Sequence, residues 1–236
     1  MVESPTPSLL LYLFADRVLG RGRMPFGRVA LPCRDTKVRG RQLADNLLAT
    51  AYWSLMEQGL VRLELAFGDE YQEDGSTRLV LLDKPLLEGT GRPGLEGKIL
   101  EHAVGSVKAS LPESGDAMNR GEPEGGFGEK VEITQSYLSG LDPESFYVVA
   151  PFSIEVLDVH EVLNGRKRYG RKAMRVVELI RREAVERGYV RQDDDGAESP
   201  DCHEILRLEG RFDDQLGRLH GFQRAEPALW RALLED

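Results

Sequence analysis

The sequence is poor in cysteine, because only Cys33 and Cys202 occur among its 236 residues. Small secreted proteins that depend on disulfides have many closely spaced cysteines. Two cysteines so far apart make a disulfide framework unexpected, and a reducing cytoplasm is the default. A zinc site that adds His203 is the alternative use of these side chains, but adjacent residues rarely share a tetrahedral ion. We therefore expect a cytoplasmic protein with no bound metal.

Long apolar segments are also missing. The only apolar run near the start of the chain is PSLLLYLF, residues 7–14, and it is too short to span a bilayer. It lacks the basic leader and the small-residue cleavage site of a signal peptide. This run therefore predicts a buried strand or the first helix.

Catalytic patterns are equally scarce. The chain has four histidines, and no two of them have the i, i+4 spacing of a zinc protease. No serine lies in a nucleophile elbow. GTGRPG, residues 89–94, matches the G-x-G-x-x-G pattern, but the βαβ alternation of a dinucleotide site is missing, so a simple turn is favoured. We expect no catalytic residues, no cofactor and no enzymatic activity.

Two similar segments stand out instead: MEQGLVRLEL, residues 56–65, and VERGYVRQDD, residues 185–194. Before the first segment, apolar residues recur at three- and four-residue spacing between residues 42 and 58, which predicts a helix. Gly59 can end that helix in the left-handed conformation. LVRLELAF and RLVLLD then predict two strands joined by a polar turn.

The second copy covers residues 171–209 and has the same order of elements. Its helix is predicted from an apolar stripe, which consists of Ala173, Val177, Ile180 and Ala184. Gly188 can end this helix, and YVRQ predicts a strand. DDDGAESPDC predicts a turn, and EILRLEG predicts the returning strand.

The segment between the copies divides the chain. Residues 95–111 predict a helix, whereas residues 112–130 are rich in Gly, Pro and Glu and have almost no apolar content. Such a stretch cannot bury enough surface to offset its ordering entropy, so it predicts a flexible linker or long loop. We therefore expect one domain over residues 1–111 and another over residues 131–236. The tail, EPALWRALLED, predicts a short closing helix.

Positive charge is concentrated in two regions, although the net charge is −9. Residues 164–191 contain ten Lys or Arg and three Glu, and residues 1–41 contain eight Lys or Arg and three acids. This distribution favours a directed surface for an anionic partner, and a solvated helix face is the alternative. The residues expected to bind that partner are Arg166, Lys167, Arg168, Arg171, Lys172, Arg175 and Arg182. Trp53, which projects away from the apolar stripe of its helix, is a candidate surface aromatic, with burial under the N-terminal segment as the alternative.

The repeated order of helix, glycine, strand, loop and strand resembles the second half of winged-helix domains. MEQGLVRLEL and VERGYVRQ carry this resemblance. It implies an α+β fold with tandem winged-helix-like units, in which helices are followed by β-hairpin wings. In that family the helix before the wing enters the major groove. The resemblance therefore implies a regulator or assembly factor that engages DNA or a partner protein through a basic helix near residues 166–182.

Four blocks also occur in an order similar to that of the Golgi phosphoprotein family, which reads phosphoinositides and has bacterial members. They are SLLLYLFAD, LLATAYWSLMEQGLVRLEL, RLVLLDKPLLEGTGRPGLEGKILEHA and VVELIRREAVERGYV. That family is mostly helical and binds anionic head groups with basic residues beside a hydrophobic loop. This resemblance implies a peripheral membrane protein on an anionic membrane surface. A protein-interaction scaffold with no nucleic-acid role is the third alternative.

Overall fold

The computed structural model shows an α+β fold of helices and small antiparallel sheets. It describes residues 4–19, 27–66, 76–81, 92–110, 153–155, 159, 163, 174–192 and 198–235. The segments 112–130 and 131–141, and the basic cluster 166–172, lie outside the described residues. The same holds for residues 89–91 of GTGRPG.

The apolar run near the start of the chain forms the first helix, α1 (Pro7–Leu13), and is buried. The Thr6 side chain caps α1 by accepting a hydrogen bond from the N–H of Leu9 at 3.2 Å, and Pro7 suits the first helical position. A short 3-10 turn follows. Strands β1 (Arg28–Ala30) and β2 (Lys37–Arg39) then form an antiparallel hairpin.

The central helix of the core is α2 (Gly40–Glu57), as predicted. Four helices pack around it: α1, α3 (Gly94–Ser110), α4 (Met174–Glu186) and α7 (Pro227–Glu235). Every residue of α2 from 47 to 55 is buried, as expected for a helix that is enclosed on all sides. The expectation of a single apolar face was therefore too narrow.

The first of the two similar segments ends α2 with a Schellman cap. Gly59 has a φ of 65°, and its N–H donates to the carbonyl of Met56 at 2.9 Å. The N–H of Leu60 donates to the carbonyl of Leu55 at 3.0 Å. Strands β3 (Val61–Ala66) and β4 (Ser76–Leu81) follow as the predicted antiparallel pair.

The second similar segment ends α4 in the same way. Gly188 has a φ of 78°, and its N–H donates to the carbonyl of Val185 at 2.9 Å. The N–H of Tyr189 donates to the carbonyl of Ala184, also at 2.9 Å. Because a Schellman cap needs a left-handed residue at this position, the shared glycine fixes the same exit from both helices. Both predicted helix ends are confirmed.

The returning strand of the second hairpin was predicted in the wrong place. Strand β6 (Val190–Gln192) pairs with β7 (Glu198–Pro200), whereas EILRLEG begins within helix α5 (Cys202–Leu206). A helix begins here instead of a strand because Asp201 caps it. The Asp201 carboxylate accepts a hydrogen bond from the N–H of Glu204 at 3.2 Å.

Two longer helices and one short strand complete the described elements. Helix α6 (Glu209–Ala225) was not predicted, and α7 confirms the helix predicted for the tail. Strand β5 (Ser153–Glu155) pairs with β4, so that β3, β4 and β5 form one antiparallel sheet.

One hydrophobic core joins both halves of the chain. Buried apolar residues from Leu9 to Leu233 belong to a single cluster, and α1 and α2 pack directly against α4. The described residues of the two expected domains therefore share a core.

A disulfide joins Cys33, in the turn of the β1–β2 hairpin, to Cys202 at the start of α5. Their Cα atoms are 5.4 Å apart, although 169 residues separate them in sequence. The expectation of a chain without disulfide bonding was therefore wrong, because distance along the chain says nothing about proximity in the fold. The bond also removes both thiolates as zinc ligands.

Candidate functional site

Helix α4, which carries part of the predicted basic surface, is anchored in the core by its inner face. Val177, Ile180 and Ala184 of the predicted apolar stripe are buried, and so is Val176. This face packs against α1, α2 and α3. Only the opposite side of α4 is left to meet a partner.

The outer face of α4 consists of four exposed residues, Arg175, Glu178, Arg182 and Glu186. Their charges alternate along the helix. Over the whole of α4 three Arg balance three Glu, so the helix itself is neutral. The excess of positive charge predicted for residues 164–191 therefore does not lie on α4.

Five of the residues predicted to bind an anionic partner lie outside the described residues: Arg166, Lys167, Arg168, Arg171 and Lys172. The other two, Arg175 and Arg182, are exposed on the outer face of α4, seven residues apart. Two of the predicted side chains therefore share one face of α4. Each of them has a glutamate beside it on that face.

A shallow groove of about 410 Å³ runs beside this outer face, between α4 and β6. Its lining is mainly charged and has one aliphatic side chain. The lining residues are Glu178, Arg181, Arg182, Val185, Glu186 and Gln192.

Trp53 is not a surface aromatic. Only 1% of its surface is exposed, because α2 is enclosed by other helices. The guanidinium of Arg218, on α6, lies over the indole ring at 5.9 Å from its centroid. Helical spacing alone did not determine whether the Trp53 side of α2 is exposed or buried. The position of α2 at the centre of the fold determines this.

The β1–β2 hairpin concentrates the positive charge of the N-terminal region on one side. Val29 pairs with Val38 in the register, and both side chains are buried. Side chains alternate between the two faces of a strand, so the neighbouring register pairs point outward. Arg28 lies opposite Arg39 and Ala30 lies opposite Lys37, and all four are exposed. We call Arg28, Lys37 and Arg39 the basic face of the hairpin.

Two buried carboxylates form a second cluster, where α1, α3 and α4 meet. Glu96 of α3 is 3% exposed and accepts hydrogen bonds from the N–H of Ser8 at 3.1 Å and the Ser8 hydroxyl at 2.7 Å. Glu183 of α4 is also 3% exposed; its Oε1 accepts hydrogen bonds from the Thr6 hydroxyl at 3.1 Å and from Arg187 Nε at 2.9 Å. The cluster therefore ties the start of α1 to two other helices.

The Glu183 carboxyl holds its proton unusually tightly. Burial, which is the largest cause, and the charge of Glu96 together raise its pKa from 4.5 to about 7, against the opposing effects of Arg187 and of the hydrogen bond from Thr6. Burial also raises the pKa of Glu96, against the hydrogen bonds from Ser8. The Oε2 atom of Glu183 has no hydrogen-bond partner in the described part of the chain and lies against Gly94, where a Cβ would be only 2.3 Å away.

This carboxylate cluster was not predicted from the sequence. Glu96 and Glu183 are 87 positions apart and look like ordinary solvated charges in the sequence. One signal was present: at 100° per residue, Glu183 lies at the edge of the apolar stripe that contains Ile180 and Ala184. One partner, Arg187, is four residues from Glu183, but Thr6 lies at the start of α1, which no local pattern connects to α4.

No protein-family model, curated protein sequence or solved structure matches this chain. Among the described helices, none combines the length and apolar character that a bilayer crossing requires. The function must therefore be argued from the surfaces themselves.

Proposed function

We propose that this protein is a non-enzymatic binding protein that contacts the phosphate backbone of DNA through the basic face of the β1–β2 hairpin. The single observation that carries the proposal is the register of that hairpin. It places Arg28 directly opposite Arg39, with Lys37 on the same side of the ribbon. Clustered Lys and Arg side chains are what phosphate binding requires.

Two of the cations lie close together on the ribbon, since Lys37 and Arg39 are two residues apart on β2 and are both exposed. Nearby acids do not cancel the charge of Lys37 and Arg39: Asp45 pairs with Arg41 at 3.9 Å, and Asp35 lies in the turn. An acidic protein that keeps three cations on one ribbon face is suited to a directed anionic contact.

We assign the DNA contact to the hairpin because the outer face of α4 is less suited to binding phosphate. A duplex lying along the outer face of α4 would meet Glu178 and Glu186 as well as the two arginines, and carboxylates repel phosphates. Within this proposal, the two helix–glycine–hairpin units act as winged-helix-type units, and the protein acts as a regulator or assembly factor. The matching caps at Gly59 and Gly188 support that assignment.

DNA is favoured over a membrane because, among the described residues, no large exposed apolar side chain lies beside the basic face of the hairpin. Peripheral membrane surfaces commonly combine basic residues with inserted apolar side chains. In the described part of the chain the only large exposed apolar residue is Leu206 of α5, which is not on the hairpin. The exposed face of the hairpin offers only Ala30 beside its cations.

The variant Lys37→Glu/Arg39→Glu should bind a fluorescent DNA duplex roughly tenfold or more weakly than the wild type, because two phosphate contacts are lost. The slope of log affinity against log salt concentration should also fall by about 2. Fluorescence anisotropy over a range of salt concentrations measures both quantities.

Arg224→Glu/Arg231→Glu is the matched control, since it changes the net charge equally at exposed positions of α6 and α7. This control should keep most of the affinity. Equal losses in the two variants would show that only net charge matters. Sedimentation with anionic vesicles, without duplex binding, would favour the membrane alternative and reject DNA as the partner.

A further inference from the structure

We propose that the outer face of α4 is an interface between two copies of this chain, which meet antiparallel about a two-fold axis. The outer face consists of Arg175, Glu178, Arg182 and Glu186. This inference does not depend on DNA binding, because it uses a different surface and different charges.

The four side chains form one continuous stripe. At 100° per residue they lie within a sector of about 80° on the helix. The first and last are eleven positions apart, which is about 16 Å along the axis at 1.5 Å per residue. The opposite face of α4 is held in the core, so the stripe has a fixed orientation on the surface.

The order of charges makes the stripe complementary to its own reverse. When two copies meet antiparallel, Arg175 of one faces Glu186 of the other, and Glu178 faces Arg182. A two-fold axis repeats each contact, which gives four opposite-charge contacts. A parallel arrangement would place every residue opposite its own copy, so each contact would join like charges. The sequence of charges therefore selects the antiparallel, isologous arrangement.

The charges are also available for such contacts. None of the four forms an ion pair of 4.0 Å or less with any other described residue. The groove beside the stripe, which is lined by Val185 and Gln192 as well, offers room for side chains of the second copy. A contact dominated by exposed charges is weak and sensitive to salt, so we expect a dimer that dissociates at high ionic strength.

A charge-exchange series tests this interface by sedimentation velocity over a range of protein concentrations. Either Glu178→Arg or Arg182→Glu alone places like charges opposite each other and should weaken dimerisation roughly tenfold or more, that is by about 1.4 kcal/mol. The double variant Glu178→Arg/Arg182→Glu exchanges the two charges, so opposite charges face each other again. It should dimerise almost as well as the wild type.

Glu204 and Arg207 of α5 provide the matched control, because they form an ion pair of 2.6 Å at the surface. The same single and double charge exchanges there should leave dimerisation unchanged. A wild-type chain that stays monomeric at all concentrations in low salt would overturn the proposal. A double α4 variant that dimerises no better than the single variants would overturn it too, and circular dichroism checks that each variant is folded.

Discussion

Replacing both cysteines with serine should lower the free energy of unfolding by up to about 5 kcal/mol. The disulfide closes a loop of 169 residues, and the chain entropy that a disulfide removes from the unfolded state grows with loop length. The bond joins the hairpin turn at Cys33 to the start of α5 at Cys202. Val29 and Val38 still hold the hairpin in the core, so the variant should fold with a less stable native state.

Urea denaturation of the oxidised wild type and of Cys33→Ser/Cys202→Ser measures this difference. A dithiol reductant should destabilise the wild type to the level of the variant and have no effect on the variant itself. Uptake of iodoacetamide at both cysteines in the native, unreduced protein would contradict the expected bond. Equal stability of the two proteins would show that the bond has no net effect.

The second large effect is a loss of stability as the pH rises. The pKa of Glu183 is about 7 in the folded chain, against an ordinary value of 4.5. Between these two pH values the folded state holds more protons than the unfolded state, so the free energy of unfolding falls as pH increases. This difference corresponds to roughly 3 kcal/mol from this one carboxyl. The free energy of unfolding should therefore be greater near pH 4.5 than above pH 7.

Glu183→Gln should remove most of this pH dependence, because the amide has the shape of the protonated carboxyl and does not ionise. Its oxygen can still accept the hydrogen bonds from Thr6 and Arg187. Glu226→Gln is the control, since it makes the same change at an exposed position between α6 and α7 and should leave the pH profile almost unaltered. Urea titrations at several pH values make the comparison. A wild-type stability that rises across the same range would contradict the assignment.

Local features of the chain were predictable because their causes lie within a few residues. The glycines at positions 59 and 188 ended their helices as expected, since each Schellman cap involves only residues within five positions of the glycine. The tail helix was likewise predicted, with proline near its first turn, whereas the apolar run at residues 7–14 left both a buried strand and a first helix open. Helix α5, which was not predicted, also has a local cause, the cap at Asp201. A returning strand was expected at this position instead, as part of a second wing.

Other features were decided by the tertiary structure. The sequence has an excess of basic residues over positions 164–191, but only the packing of α4 shows that its exposed face is neutral. Only the register of β1 and β2 shows that Lys37 and Arg39 lie on one side of the hairpin. Trp53 is buried although it projects away from the apolar stripe of α2. The tertiary structure also brings Glu96 to Glu183 and Cys33 to Cys202. Sequence patterns predicted α2, α4, the tail helix and the β3–β4 pair, since these depend on neighbours along the chain, but did not predict α6 or the β1–β2 hairpin. Burial, ionisation and pairing depend on neighbours in space, so only the packing of the helices around one core decided them.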